Sequence, residues 1–427
     1  MKRSRARWLY IAPPIFFFWV FGQMDKLGIS VIITNHKFLQ DLGLLGETAK
    51  IGFLMTGFLV FYGFANIAWG FIVDRIGPRK TAIIGTIIWG FTMILGGLSS
   101  SYGLFMVSRM ILGIGEAVLF PVCNKLISNW FPPKEFGRAQ SSWIIGDYLG
   151  PAIGIPIIIF AISLGGWEAS FYLLAAFSLI INLPLFLFLT RDDPKQHYAV
   201  NAAELQYIQE GQKTKQSSNI TFGELLRNYR YWMIWLVMLV DSVLFYGISF
   251  WLPTYLEKAR HFSAALMSSW TSSAWLLALI TVLLVGYIAD KTRKPSLIGT
   301  VIFVIGAIAL IIATSTGNSS LAAVMMDIGL AAVGGVLEIS QLLLVDYSSK
   351  ETAGKAAGLM GFTNIVGGFT TAFMGYLVEV SGGNFTTAII FLVFNAVIGA
   401  IALFTLVPGE RKDALNQSEN FEANSEA

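Results

Sequence analysis

The sequence predicts an all-α membrane protein, with twelve transmembrane helices in two pseudo-symmetric six-helix bundles. The first observation is composition: 55% of the 427 residues are hydrophobic and only 13% are charged. Soluble domains carry about 25% charged residues. The second is a series of apolar windows at about 8–33, 51–73, 81–98, 103–129, 139–162, 168–189, 231–254, 264–288, 297–314, 320–344, 356–378 and 387–407. A helix needs roughly 20 such residues to cross the hydrocarbon core. The third is an internal repeat at an offset of 216 residues. It carries Gly70-Phe-Ile-Val-Asp74-Arg75 onto Gly286-Tyr-Ile-Ala-Asp290-Lys291, Lys134-Glu135 onto Lys350-Glu351, and Asp25 onto Asp241. A duplicated half with an even number of spans keeps its orientation, so the halves are related by an axis along the membrane normal.

Taken in order, the chain opens on Lys2, Arg3, Arg5 and Arg7 followed by an apolar run to Ile33. That run is too long for a signal peptide and lacks a small-residue cleavage site, so it reads as an uncleaved first span. The links between spans are of two kinds. Basic ones carry Arg75/Arg79/Lys80, Lys134/Arg138, Lys291/Arg293/Lys294 and Lys350/Lys355. The others, such as those near 101 and 317, are short and mostly uncharged, with Glu257–His261 an exception. Lysine and arginine stay on the cytoplasmic side, which puts both termini inside. The expected organisation is an N-terminal six-helix half at 1–190, a cytoplasmic linker at 191–230, a C-terminal half at 231–408 and a disordered cytoplasmic tail at 409–427. In the fifth span Gly146, Gly150, Pro151, Gly154 and Pro156 allow a close helix approach and a bend.

The fourth span, Tyr102–Asn124, holds one cation, Arg109, and one acid, Glu116. Seven residues is about two helical turns, so both leave one face roughly 10 Å apart. Gly113 and Gly115 between them remove bulk where a helix or a ligand comes close. The intramembrane ionisable residues that stand out are Asp25, Lys26, Arg109, Glu116, Asp147, Asp241 and Glu338. A charge at that depth costs a few kcal/mol or more unless it faces a polar cavity or a partner. Lys26 and Arg109 are therefore candidates to bind a substrate carboxylate through charge-assisted hydrogen bonds. Asp25 and Glu116 are candidates to take up protons, with Glu116 the main carrier, because burial disfavours an ionised carboxyl. Asp241 is a second proton site or a contact to substrate hydroxyls, alongside Tyr62, Tyr246, Gln341, Asn364 and Gln23. Trp143 and Trp251 offer ring faces.

Zinc-ligand spacing, a P-loop lysine motif and a nucleophile elbow are all missing, which argues against an enzyme, a cofactor and ATP-driven transport. The net charge of +3 gives no sign of nucleic acid, and the single cysteine, Cys123, forms no internal disulfide.

The run Gly70-x-x-x-Asp74-Arg75-x-Gly77-x-Arg79-Lys80 resembles the signature of the major facilitator superfamily. Further pieces resemble its anion:cation symporter family, the bacterial phthalate, tartrate, hexuronate and sugar-acid permeases. They are Arg109-x-x-x-Gly113-x-x-Glu116 with Phe120-Pro121, Trp130-Phe131-Pro132-Pro133-Lys134-Glu135 with Gly137-Arg138-Ala139, Asp193-Pro194 with Glu204-x-x-Tyr207-Ile208, and Trp251-Leu252-Pro253-Thr254-Tyr255. The family usually has Asp-Arg in the first span where this chain has Asp25-Lys26, and Asp147 and Asp241 are acids beyond its pattern. The resemblance implies proton-coupled import of a small organic anion by alternating access across a bacterial cytoplasmic membrane, by a monomer. It makes Gly70, Asp74, Arg75, Gly77, Arg79 and Lys80, with Asp290 and Lys291 of the repeat, a cytoplasmic gating latch. The rival readings are a proton-driven exporter of a cationic or zwitterionic compound and a non-transporting membrane sensor.

Overall fold

The structure is a computed structural model that describes residues 4–212, 222–347 and 350–408. The expected tail at 409–427 and the middle of the linker lie outside the described residues, as do the side chains of Asp290, Lys350, Glu351 and Lys355. All regular structure among the described residues is helical. In chain order the helices are α1 (Ala12–Ile32), α2 (His36–Asp41), α3 (Thr48–Ile76), α4 (Pro78–Gly97), α5 (Tyr102–Glu116), α6 (Leu119–Trp130), α7 (Phe136–Ala176), α8 (Ala202–Gln212) and α9 (Phe222–Arg227). Then come α10 (Tyr229–Thr254), α11 (Ala264–Thr292), α12 (Pro295–Ser315), α13 (Ser319–Tyr347), α14 (Lys350–Val380) and α15 (Thr386–Phe404).

Among the described residues, ten apolar helical runs are long enough to cross a membrane. One of them, Pro133–Leu189, spans 57 residues. It breaks at Gly165 and Gly166, the latter at φ +79°, a conformation glycine adopts without a Cβ penalty. That break separates the expected fifth and sixth spans. With α14, 31 residues long, all twelve expected spans have a helical counterpart among the described residues.

Two compact units divide the chain. The first is Met1–Gln216, Ser249–Leu276 and Gly368–Gly383, and the second is Ser217–Ile248, Leu277–Gly367 and Asn384–Ala427. In the first unit α1 is the most enclosed helix and lies along α7. Glycine makes that approach possible: a Cβ on Gly146 would stand 2.7 Å from the Phe16 carbonyl oxygen, and one on Gly154 2.6 Å from Met24 Cγ. Gly113 and Gly115 of α5 serve the neighbouring helices, Gly113 lying against the Phe58 carbonyl of α3 and Gly115 against the backbone of Trp89 on α4. The space these two glycines open is thus filled by helix backbone.

The fourth span is two helices. Pro121 has no N–H to give the Ala117 carbonyl, and its ring crowds that oxygen, so the helix breaks directly after Glu116. Apolar surroundings demand that freed carbonyls find donors. Asn66 Nδ2 on α3 donates to Ala117 O at 2.9 Å, and Trp69 Nε1 donates to Ile114 O at 2.8 Å.

Candidate functional site

The break after α5 sets Glu116 at a helix end, among residues from α1, α3, α4, α5 and α7. Asp25 and Lys26 come from α1, and Arg109 and Glu116 from α5. All four are buried, with exposures of 2%, 4%, 1% and 0%. Asp147, half-buried on α7, accepts a hydrogen bond from Gln23 Nε2 of α1. Asp25 accepts one from the indole Nε1 of Trp89 on α4, and its other carboxylate oxygen has no partner among the described residues.

The cations are held by aromatic faces on α3. Arg109 Cζ lies 4.8 Å from the Phe58 ring centroid and Lys26 Nζ lies 4.6 Å from that of Tyr62. Those two rings, one helical turn apart, stack at 5.7 Å. Arg109 Nη2 donates to the Lys26 carbonyl at 3.4 Å and approaches Met55 Sδ at 4.0 Å, while among the described residues Nε and Nη1 have no acceptor. Among the described residues neither oxygen of Glu116 has a partner. Glu116 acts electrostatically on both cations, Asp25 on Arg109, and Asp147 on Lys26. Yet among the described residues no carboxylate oxygen lies within 4.0 Å of either cation. Opposite charges are gathered but left apart, an arrangement that can exchange both an anion and protons.

In the second unit Asp241 is 3% exposed, and its Oδ1 has no partner among the described residues. One residue on, Ser242 Oγ donates to Asn364 Oδ1 at 3.4 Å, as does Tyr246 Oη at 3.5 Å. Gln341 is exposed on α13 and makes no side-chain hydrogen bond among the described residues. Glu338 is half-buried, with Oε1 3.4 Å from where a Gly286 Cβ would stand. Trp143 packs on Trp19 at 4.8 Å, and Trp251, fully buried, donates to the Thr371 carbonyl at 3.0 Å, so both rings belong to the packing.

Of the residues expected to form a latch, Asp74, Gly77 and Arg79 have neighbours inside the first unit. Asp74 Oδ1 meets Lys125 Nζ at 2.6 Å. Gly77, at φ +86°, turns the chain from α3 into α4 beside the Asp192 carboxylate, which caps α4 by accepting from Arg79 N at 2.7 Å. The Arg79 side chain donates to the carbonyls of Phe186 at 3.2 Å and Leu187 at 2.6 Å. Gly70 has open space over its Cα, and Arg75, Lys80 and Lys291 are exposed.

Residues of the linker motif also meet. Arg7 Nε pairs with Glu135 at 2.8 Å and Nη1 with Glu204 at 2.9 Å, and Tyr207 Oη donates to Glu135 at 2.8 Å. Glu204 is fully buried on α8 and also accepts from Ser4 Oγ and from the N–H of Ala6 and Arg7. Burial alone raises its carboxyl pKa, but those hydrogen bonds and the Arg7 charge hold it below the usual glutamate range. His197 is pushed down by burial and by Arg191, against a bond to the Leu189 carbonyl at 3.1 Å and the charge of Glu204.

Sequence reasoning missed Trp89, Phe58, Asn66 and Asp327. Asp327 is buried on α13 and meets the same criterion, an acid inside an apolar window, that found Asp241. For the others no signal exists in a single sequence, because indole, phenyl and amide groups in apolar spans carry no charge to explain.

The model of the Major Facilitator Superfamily matches residues 15–372. A probable sulfoacetate transporter, SauU, of Cupriavidus necator is 28% identical over 95% of this chain and 94% of its own. A probable galactarate/D-glucarate transporter, GudP, of Bacillus subtilis is 26% identical over 98% and 95%. A bacterial homolog to the human lysosomal transporter Spinster, solved in an inward-facing and occupied conformation, superposes with a TM-score of 0.75 at 18% identity, covering 95% of this chain and 97% of that one. That likeness concerns the fold. Apolar helices of membrane-crossing length, a site of buried charges and a match over most of the length agree: this chain is a multi-pass membrane transporter, not an enzyme, and it belongs to the Major Facilitator Superfamily.

Proposed function

We propose that the protein is a proton-coupled symporter that imports a small organic anion, such as a sugar acid or an aromatic or dicarboxylic acid, by alternating access. One observation carries the reading: Lys26 and Arg109 are buried beside Asp25, Glu116 and Asp147, yet neither cation has a carboxylate oxygen within 4.0 Å among the described residues. Buried donors without acceptors are costly, and an anionic cargo supplies acceptors to both. Relatives named for sulfoacetate, galactarate/D-glucarate, D-galactonate and hexuronate support the cargo class.

In this reading Lys26 and Arg109 hold the carboxylate, and Tyr62, Tyr246, Gln341 and Asn364 meet its hydroxyls. Asp25, Glu116 and Asp241 take up protons, Glu116 foremost, since neither of its oxygens has a partner among the described residues. Gly70, Asp74, Arg75, Gly77, Arg79, Lys80, Asp290 and Lys291 form the cytoplasmic latch. Residues 1–190 and 231–408 are the two halves that rock, joined by the linker at 191–230. The protein works as a monomer in the bacterial cytoplasmic membrane with both termini inside.

A second reading, a proton-driven exporter of a cationic or zwitterionic compound, has its own support. Acids outnumber cations three to two around Arg109, and Asp241 takes part in no ion pair among the described residues. Proteoliposomes separate the two. An acid-outside gradient is expected to drive accumulation of labelled sulfoacetate, D-glucarate or D-galactonate, and Arg109→Ala to abolish it. Uptake that survives Arg109→Ala refutes the site, and cation efflux without anion uptake refutes the symporter.

A further inference from the structure

Lys26 occupies a position where an arginine would serve carboxylate recognition better, because a guanidinium presents a flat fork and an ammonium a compact point. The two differ in a second way. A lysine gives up its proton within the accessible pH range when its surroundings favour that, and an arginine does not.

Among the described residues none places an acceptor within hydrogen-bond distance of Lys26 Nζ. From α3 the Tyr62 ring faces its Nζ at 4.6 Å. From α5 come the Glu116 carboxyl and the Arg109 guanidinium, the latter bonded to the Lys26 carbonyl at 3.4 Å. From α7 comes Asp147, already engaged with Gln23, and on α1 itself Asp25, engaged with Trp89 of α4. On α6 the ionisable groups are buried Cys123 and Lys125, which pairs with Asp74. The stretches Phe177–Asn182 and Leu185–Leu189, also packed on α1, have no ionisable side chain. Among the described residues Lys26 Nζ has no hydrogen bond and no carboxylate oxygen within 4.0 Å.

An ammonium enclosed without acceptors and beside a permanent guanidinium is unfavourable, and a nearby carboxyl relieves it only by closing into an ion pair. An anion on Arg109 supplies the missing acceptor. The charged form of Lys26 is then favoured when cargo is present, and cargo binds better when Lys26 is charged, because linkage acts equally in both directions.

We propose that Lys26 is itself a proton carrier of this transporter, taking up a proton together with the anionic cargo and releasing it with the cargo on the other side. This rests on the anion-symport reading. The step balances simply: a neutral amine, one proton and one anion give an ammonium–anion pair of no net charge, with one N–H bond formed on loading and broken on release. Glu116 and Asp25 then carry any further proton, and Arg109 holds the cargo without titrating.

Two measurements test it. The first starts without cargo. Full-length protein in nanodiscs carrying 15Nζ-labelled lysine is titrated from pH 6 to pH 9, with the Lys26 resonance assigned as the one that Lys26→Arg removes. A neutral amine within that range is expected, converting to ammonium on adding sulfoacetate or D-galactonate, whichever the wild type transports. An ammonium throughout, with no anion present, overturns the proposal. The second is the proton-to-anion ratio from reversal potentials in proteoliposomes with the same probe. Lys26→Arg is expected to lower it by one proton per anion, and an unchanged ratio overturns the proposal. If the wild type moves neither anion under a pH gradient, the symport reading has failed, and the lysine titration still decides the state of Lys26.

Discussion

At the scale of the residue, the central fact is that this site keeps its opposite charges separate. Glu116 is the clearest case, fully buried at the end of α5 with neither oxygen partnered among the described residues. If it is the main proton carrier, Glu116→Gln removes the titration and keeps the shape. Accumulation driven by an acid-outside gradient should then be abolished, while counterflow exchange of labelled for unlabelled anion continues. Loss of both would assign Glu116 to cargo binding instead. Trp89→Phe makes a subtler cut, because it removes the indole hydrogen bond to Asp25 and keeps a ring. A net hydrogen bond to a charged group is worth about 1.5–3 kcal/mol. The pH midpoint of uptake should therefore shift in Trp89→Phe with a smaller loss of maximal rate, and an unmoved midpoint would exclude Asp25 from proton coupling. Asp25 and Glu116 were legible in the sequence, because an ion in an apolar run demands a reason. Trp89 was not, because its role appears only once α4 lies against α1.

At the scale of the element, two local devices govern where functional groups stand. One is the break after Glu116, set by Pro121 and made tolerable by Asn66 and Trp69. Asn66→Ala leaves the Ala117 carbonyl without a donor in an apolar setting, at a cost of about 1–3 kcal/mol. A lower thermal midpoint of the purified protein is expected, and Asn66→Ala combined with Pro121→Ala should recover it by restoring the helical bond. The other device is α8, fastened to the chain's beginning by Glu204 and Arg7. His197 and Glu204 both have depressed pKa values. A depressed group binds fewer protons docked than undocked, so docking is favoured as pH rises. The His197 contribution is fully present above about pH 6.5 and fades below it, and the Glu204 contribution fades below about pH 4.3, their ordinary values. The protection factor of the amides in Ala202–Ile208, the exchange rate taken relative to the base-catalysed intrinsic rate at each pH, should be greater at pH 7.5 than at pH 5.5, and His197→Gln should remove most of that difference. The contacts of this strap lay hidden, although the motif residues Glu135, Glu204 and Tyr207 stood out in the sequence. Their partner Arg7 read only as one of four topogenic charges.

At the scale of the whole molecule, the number of helices was legible because apolar length is a direct physical requirement of crossing hydrocarbon. The break that turns the fourth span into two helices was signalled only by Pro121, and prolines inside helices do not always break them: Pro151 and Pro156 lie within α7 without interrupting it. Sidedness rests on charge alone. Each lysine or arginine near an anionic leaflet gains about 1 kcal/mol, so the links with Lys80 and Lys294 are expected inside and the uncharged links near 103 and 317 outside. The chain makes this simple to check. Its one cysteine, Cys123, is buried, so the background to thiol labelling is silent. A side chain added at Gly103 or Gly317 meets no neighbour within 4 Å, and Lys80 and Lys294 are exposed. In intact cells a membrane-impermeant maleimide should label Gly103→Cys and Gly317→Cys, and should reach Lys80→Cys and Lys294→Cys only after permeabilisation. The inverse pattern would turn the transporter over in the membrane. Labels on opposite sides for Gly103→Cys and Gly317→Cys would break the even-span repeat itself, because positions that a 216-residue repeat places in equivalent links must face the same water.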